Sequence, residues 1–457
     1  MKKLLLVAAC IALVGLAPSA FAAQIAVHGD LDHRFQVYTD QQNFFQNDTL
    51  SDVELDRTTG QFAEFKYRLW TEMATDDNAV KGVYAIEIGG VHFGNGAKGG
   101  GYSGDGVNIE TRWAYTDFML GNGRMKVGLQ PWKVNPYLWV ETATAIQYDA
   151  SAGSVDYTIG WSRGKEYFNE TQDDAFLSDS DALLGRVNFG IGEGSKAGVF
   201  LLYQMANPNG SATITSEDYQ VKKFDDVDLS IWTVGVDGKL MTAGPLFVAW
   251  DLMYQNGKIE NVQFQDQISG VNSAADTDFD LSAYFGHVDI GAKLGNMTLT
   301  FTSYYASGDD KADDEDFDAF LTTDLDRNDS IIFQEGGYTS DFYFTERCTL
   351  ADKGMFLNKL ALDFQATEKT KVGGAVLYLQ TTEDVKYTDD SLVERSSTDL
   401  GIELDAYISY QMYENLTLAL NAGYLFAGDA MDIFETTTNG SSDENIFRST
   451  AQIRYKF

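Results

Sequence analysis

Phe447-Arg448-Ser449-Thr450-Ala451-Gln452-Ile453-Arg454-Tyr455-Lys456-Phe457, the last eleven residues, decide the fold. Side chains of a β-strand alternate between two faces. Phe447, Ser449, Ala451, Ile453, Tyr455 and Phe457 therefore share one face, with Ser449 its only polar member. Arg448, Thr450, Gln452, Arg454 and Lys456 occupy the other. An apolar face backed by a strongly wet one, ending on a free aromatic carboxyl-terminus, is what the closing strand of a lipid-facing barrel requires.

The same alternation recurs upstream. In the stretch 25–38, Ile25, Val27, Leu31, Phe35 and Val37 oppose His28, Asp30, Asp32, Arg34 and Gln36. In 61–73, Ala63, Phe65, Tyr67, Leu69 and Met73 oppose Glu64, Lys66, Arg68 and Glu72. Stretches 400–412 and 416–426 repeat the pattern. Tight links such as Gly121-Asn122-Gly123 and Tyr413-Glu414-Asn415 alternate with long ones such as 39–60 and 309–353, the arrangement of an outer-membrane barrel with short periplasmic turns and long outer loops. The reading is an all-β, antiparallel, up-and-down transmembrane barrel of about 18 strands, or about 16 if 145–151 and 155–163 are one irregular element plus a hairpin arm. A barrel this wide leaves an aqueous channel rather than a filled core.

Composition fits an exported barrel. Lys2 and Lys3, the apolar run Leu4 to Ala17 and Ala20-Phe21-Ala22 form a signal peptide over residues 1–22, leaving 23–457 as a single barrel domain. No later run is long and apolar enough for a spanning helix. Removing Lys2 and Lys3 from the 33 Lys+Arg leaves 31 against 68 Asp+Glu, which argues against nucleic acid as a partner. Only Cys348 remains after cleavage, so no intrachain disulfide can form. The four histidines, His28, His33, His92 and His287, have no serine in a nucleophile motif nearby, so no enzyme is expected.

Selectivity in such a pore is set by charged side chains at its narrowest point. Lumen-facing bases on the first five strands and the last include Arg34, Lys66, Arg68, Arg112, Lys126, Arg448 and Arg454, and because the last strand closes on the first they share one wall. Asp30, Asp32, Glu64, Glu87 and Glu110 share it, mostly nearer strand ends. Tyr67, Trp113, Tyr115, Tyr157, Trp161, Trp250, Tyr254, Tyr424 and Tyr455 fall in phase with the apolar face and are expected in aromatic girdles. Trp70, Tyr304 and Tyr407 point inward. The stretch Asp309 to Asp329 holds ten acids against Lys311 and Arg327, expected as a solvated outer loop where Ca2+ or Mg2+ could bridge to lipopolysaccharide. Within and beyond it, Asp324, Asp326, Asn328 and Glu335 match positions 1, 3, 5 and 12 of a calcium loop, although Asp329 replaces the turn glycine.

The order of elements resembles that of the trimeric general-diffusion porins: signal peptide, five strands, a Gly-rich second loop (Gly94 to Gly106), a glycine-turn hairpin, Gly128-Leu129-Gln130-Pro131-Trp132-Lys133, then the loop 134–144 and hairpins to a terminal phenylalanine. The opening after cleavage and the acidic outer loops look like the homotrimeric porins of sulfate-reducing bacteria. That resemblance implies an inward-folded third outer loop, acids facing a basic wall across the eyelet, passive diffusion of small hydrophilic solutes, and a homotrimer in the bacterial outer membrane. It further implies insertion by the barrel-assembly machinery through the C-terminal strand. On this reading Arg34, Lys66, Arg68, Arg112, Lys126 and Arg454 form the constriction with Glu141, the one acid in the third loop. A substrate-specific channel for a sugar or an anion is the alternative function.

Overall fold

A computed structural model describes residues 24–39, 60–95, 99–102, 107, 109–167, 179–208, 212–214, 221–224, 227–264, 277–310, 315–325, 327, 329–334, 349–388, 393–434 and 445–457. The expected signal peptide lies outside them. Eighteen strands form the wall: β1 (Gln24–Thr39), β2 (Gly60–Ala74), β3 (Val80–His92), β4 (Glu110–Leu120), β5 (Gly123–Asn135), β6 (Trp139–Ala152), β7 (Val155–Lys165), β8 (Ser180–Gly192) and β9 (Ser195–Ala206). They continue as β10 (Asp228–Met241), β11 (Leu246–Phe264), β12 (Thr277–Leu294), β13 (Met297–Ala306), β14 (Met355–Gln365), β15 (Thr370–Thr388), β16 (Glu394–Tyr413), β17 (Leu416–Ala427) and β18 (Ile446–Lys456). Each pairs antiparallel with its neighbours, and β18 closes on β1 from Asp30↔Lys456 to Thr39↔Phe447. The stretches 145–151 and 155–163 fall in two separate strands, β6 and β7, which gives eighteen rather than sixteen. Two short strands, Ala212–Ile214 and Asp316–Phe317, lie parallel to β11 and β12.

Burial is inverted relative to a water-soluble sandwich. On β1, Ile25, Val27, Phe35 and Val37 are exposed while Asp30, Asp32 and Gln36 are buried. On β18, Ile453, Tyr455 and Phe457 are exposed while Arg448, Thr450, Gln452 and Arg454 are buried. Water would penalise that arrangement at every strand; a hydrocarbon surround reverses the sign. The sequence alternation therefore reports outside and inside correctly over most of the wall.

The barrel seam is held by charge. Arg454 grips Asp30 with two bonds, Nε to Oδ1 at 2.8 Å and Nη2 to Oδ2 at 2.6 Å, and Gln452 donates to Asp32 at 2.6 Å. The terminal residue takes part as well. Phe457 exchanges backbone hydrogen bonds with Gly29 at 2.9 and 3.0 Å, and its ring covers the place where a Gly29 side chain would stand.

One register shift changes two expected positions. Between β3 and β4 the pairing jumps from Ala85↔Trp113 to Ile86↔Thr111, so Arg112 is the extra residue of a β-bulge. A bulge turns neighbouring side chains toward the same side. Trp113 and Tyr115 consequently pair with the buried Ala85 and Val83 and face the lumen, not the lipid. Trp113 packs edge-on against Trp70 at 5.7 Å, which in turn stacks on His28.

Candidate functional site

The third outer connection does fold inward, as a hairpin rather than an irregular loop. The wall pairing of β4 with β5 stops at Ala114↔Leu129, and that of β6 with β7 stops at Ala145↔Ser162. Within the ladder, residues 130–143 pair only with one another, up to Asn135↔Trp139, and leave the neighbouring wall strands. Gly128 lies just before the departure with φ of 128°, and a Cβ there would stand 2.4 Å from the Ala114 carbonyl oxygen. Only glycine accepts that combination of backbone angle and close approach.

The hairpin reaches the wall formed by β10–β12. Asn135 donates to Asp251 at 2.6 Å, and Arg186 joins the Val134 carbonyl (3.0 Å) to Asp237 (2.6 Å). At the tip, the fully buried Tyr137 packs against Phe285 and His287, each at 4.7 Å between ring centres. The Arg327 guanidinium covers the same ring at 4.6 Å. Burial drives the Tyr137 hydroxyl well above its ordinary pKa, so it stays neutral.

The acidic stretch 309–329 departs from expectation. Asp310, Glu315 and Asp316 are exposed as expected, but the described residues from Phe317 onward are not solvated. Phe317, Phe320, Leu321, Leu325, Ile332 and Phe333 are all within 1 % of full burial, and Asp309, Asp324 and Asp329 are buried with them. Apolar residues interleaved with the acids pull the segment into the lumen, where it meets the hairpin: Thr323 N–H donates to the Leu138 carbonyl and Val140 N–H to that of Asp324, both at 2.8 Å. The Gln255 side chain of β11 binds the Leu321 backbone on both sides, at 2.8 and 2.9 Å. Glu403 of β16 accepts the Ser330 hydroxyl at 2.6 Å and the Ile331 and Ile332 N–H groups at 2.8 Å each. Burial would raise the Asp329 carboxyl, but Arg327 and Lys359 beside it hold it below the usual carboxylate range. Met431 and Phe224, from the turns 429–434 and 221–224, complete an apolar plug on this side of the lumen.

The opposite side is lined by charge. Arg34 is paired with Glu64, whose other oxygen lies 3.1 Å from His92. Lys66 (3.2 Å) and Arg68 share Glu87, and Arg112 bridges from Glu87 (3.9 Å) to Glu141 on the inward hairpin. The structure thus joins Arg34, Lys66, Arg68, Arg112 and Glu141 into one row of alternating charge on β1–β4 and the hairpin edge. Side-chain exposures of 13 to 23 % for the four bases and Glu141 leave them partly buried on the inner wall. Lys126 stands apart near the short-turn end on Asp149 (2.9 Å), and Arg454 belongs to the seam with Asp30. Of the expected calcium ligands, Asp324 sits in the plug, whereas Asp326, Asn328 and Glu335 lie outside the described residues. Among the described residues no group of three or more His, Cys, Asp or Glu is arranged to hold a metal.

Glu403, Gln255 and Asn135, the polar anchors of the inward segments, are not marked by any motif in the sequence. A weak signal for the first existed: Glu403 and Asp405 fall on the lumen face of a strand with no nearby base in sequence.

A closed eighteen-stranded antiparallel barrel with an apolar outer face and inward-folded loops is the architecture of an outer-membrane β-barrel. Known structures share this fold. The crystal structure of OpdL from Pseudomonas aeruginosa matches with a TM-score of 0.51 at 9 % identity, over 95 % of this chain and 99 % of that one. A BenF-like porin from Pseudomonas fluorescens Pf-5 matches at 0.52 and 12 %, over 95 % and 98 %. OccAB1 of Acinetobacter baumannii matches at 0.52 and 12 %, over 94 % and 97 %. At these identities the likeness is one of fold. No protein-family model and no curated protein matches the chain.

Proposed function

We propose that the protein is a bacterial outer-membrane porin, a water-filled channel for passive diffusion of small hydrophilic solutes and ions. The observation that carries this reading is the charged row Arg34–Glu64, Arg68–Glu87, Arg112–Glu141 lining one side of a narrowed lumen inside an apolar-coated barrel. Fixed alternating charges orient water and polar solutes in the passage, while uncharged apolar solutes find no compensation for lost hydration. The outer acids would enrich cations at the mouth, within a Debye length of about 8 Å.

The other parts of the proposal rest on the resemblance to general-diffusion porins. They are a homotrimer and recognition of the β18 end by the barrel-assembly machinery; lipopolysaccharide contact through divalent ions is proposed from the exposed acids Asp310, Glu315 and Asp316. Planar-bilayer conductance tests the core of the reading, and cross-linking in detergent tests the trimer.

A second reading, a substrate-specific channel for a sugar or an anion, is favoured by the plug. A general pore needs only one inward loop, yet two long segments here meet and bury an extended apolar cluster between them. A narrowed path of this kind suits selection of a solute by contact.

A further inference from the structure

Beside the constriction lies a second feature that ion passage alone does not use. A cavity of about 290 Å3 sits between the inner faces of β6–β9 and the plug segment. Glu141 lines it and also bonds Arg112, so the cavity adjoins the charged row. Its volume is near the lower end for small-molecule sites.

The charges on its lining are already engaged. Arg163 holds Asp181 with two bonds (3.0 and 3.1 Å) and reaches Asp179 at 2.8 Å, while Trp161 Nε1 donates to the same Asp181 at 2.9 Å. Glu141 is taken by Arg112, and Asp324 is not free either. Open hydrogen-bonding capacity remains on neutral groups. The Gln204 side chain is 4 % exposed and donates through Nε2 to Thr323 at 2.9 Å, but its Oε1 has no partner. Thr142 Oγ1 is also buried and unpaired. Buried polar atoms left this way are destabilising until a partner reaches them. Trp139 adds an indole to the lining, seated on Trp132 at 5.6 Å between ring centres.

We propose that this cavity is a binding subsite for a neutral polyhydroxylated solute of monosaccharide size, resting on the channel reading above. A hydroxyl both donates and accepts, so it satisfies Gln204 Oε1 and Thr142 Oγ1, whereas an added charge meets carboxylates and a guanidinium that are already matched. The C–H face of a sugar ring fits against Trp139 as an apolar body with polar edges.

Isothermal calorimetry on the purified protein in detergent tests this with D-glucose and D-xylose against D-glucuronate and D-glucosamine. Saturable binding of a neutral sugar is expected, weakened at least tenfold in Gln204→Met, with folding checked by heat-modifiable gel migration. Thr142→Val provides the same readout should Gln204→Met fail to fold. Binding unchanged in a folded variant, or preference for either charged sugar, overturns the assignment. Ion conductance is measured on the same preparation. Conductance without sugar binding overturns the subsite and leaves the channel; sugar binding without conductance overturns the channel and leaves the subsite.

Discussion

Replacing Glu403 by leucine should unseat the plug. The carboxylate accepts from Ser330 Oγ (2.6 Å) and from the Ile331 and Ile332 N–H groups (2.8 Å each), and all of these groups are buried. Leucine keeps the volume but removes every acceptor. Three buried donors are then orphaned, at about 1–3 kcal/mol each, so at least about 3 kcal/mol is lost from the seated state. With 1.36 kcal/mol per factor of ten, the unseated population rises more than about a hundredfold. Ile332, Phe333 and the Lys359 bond to the Asp329 carbonyl (2.6 Å) still favour seating, so flicker is expected rather than permanent expulsion. Single-channel recording should show added open-channel noise and excursions to larger conductance. Glu403→Gln, which keeps one carbonyl acceptor without its charge, should fall between the two. Traces of Glu403→Leu superimposable on those of the parent protein would refute this anchoring role.

Other outcomes follow from the same geometry. Asp329 has a depressed pKa in the plug, so its contribution is complete above the unfolded value of about 3.9 and is lost only as pH falls through the lower folded value. The difference in conductance between the parent protein and Asp329→Asn should therefore persist from neutral pH to about 4 and vanish only below it; loss of that difference near neutral pH would contradict this. Val234, midway along β10 and 47 % exposed, faces lipid, so Val234→Arg should destabilise the barrel by about 2–4 kcal/mol in urea unfolding from vesicles. An unchanged midpoint would mean that β10 does not face hydrocarbon. Gly29→Val places a side chain where the Phe457 ring sits, and should reduce the folded fraction on heat-modifiable gels. Wild-type recovery would show that the terminal ring is dispensable.

Most of the wall was legible because a strand in lipid obeys one rule, side-chain period two, with opposite solvents on its faces. Ile25, Val27, Phe35 and Val37 against Asp30, Asp32 and Gln36 show the rule in its plain form. It failed at Trp113 and Tyr115, where the bulge at Arg112 shifts the phase by one; nothing in the local residue pattern marks that shift. The inward third connection was readable from order and spacing, but its hairpin form depends on pairing that parity does not report. The acidic stretch misled for a different reason. Its charge dominates the composition, whereas its fate is decided by Phe317, Phe320, Leu321 and Leu325 between the acids. The bases Lys66, Arg68 and Arg112 were placed on the right wall, but their sharing of Glu87 depends on cross-strand register.

The most direct measurement is the reversal potential across a planar bilayer under a potassium chloride gradient, with the full chain and with Arg68→Gln/Arg112→Gln. Stepwise, ohmic conductance is expected from the folded protein, with a reversal potential displaced toward cations in the double variant because two fixed positive charges are removed, leaving Glu87 with Lys66 alone and Glu141 without its guanidinium. Folded protein that inserts without conducting, or a double variant that conducts with an unaltered reversal potential, would contradict a charged constriction on this wall.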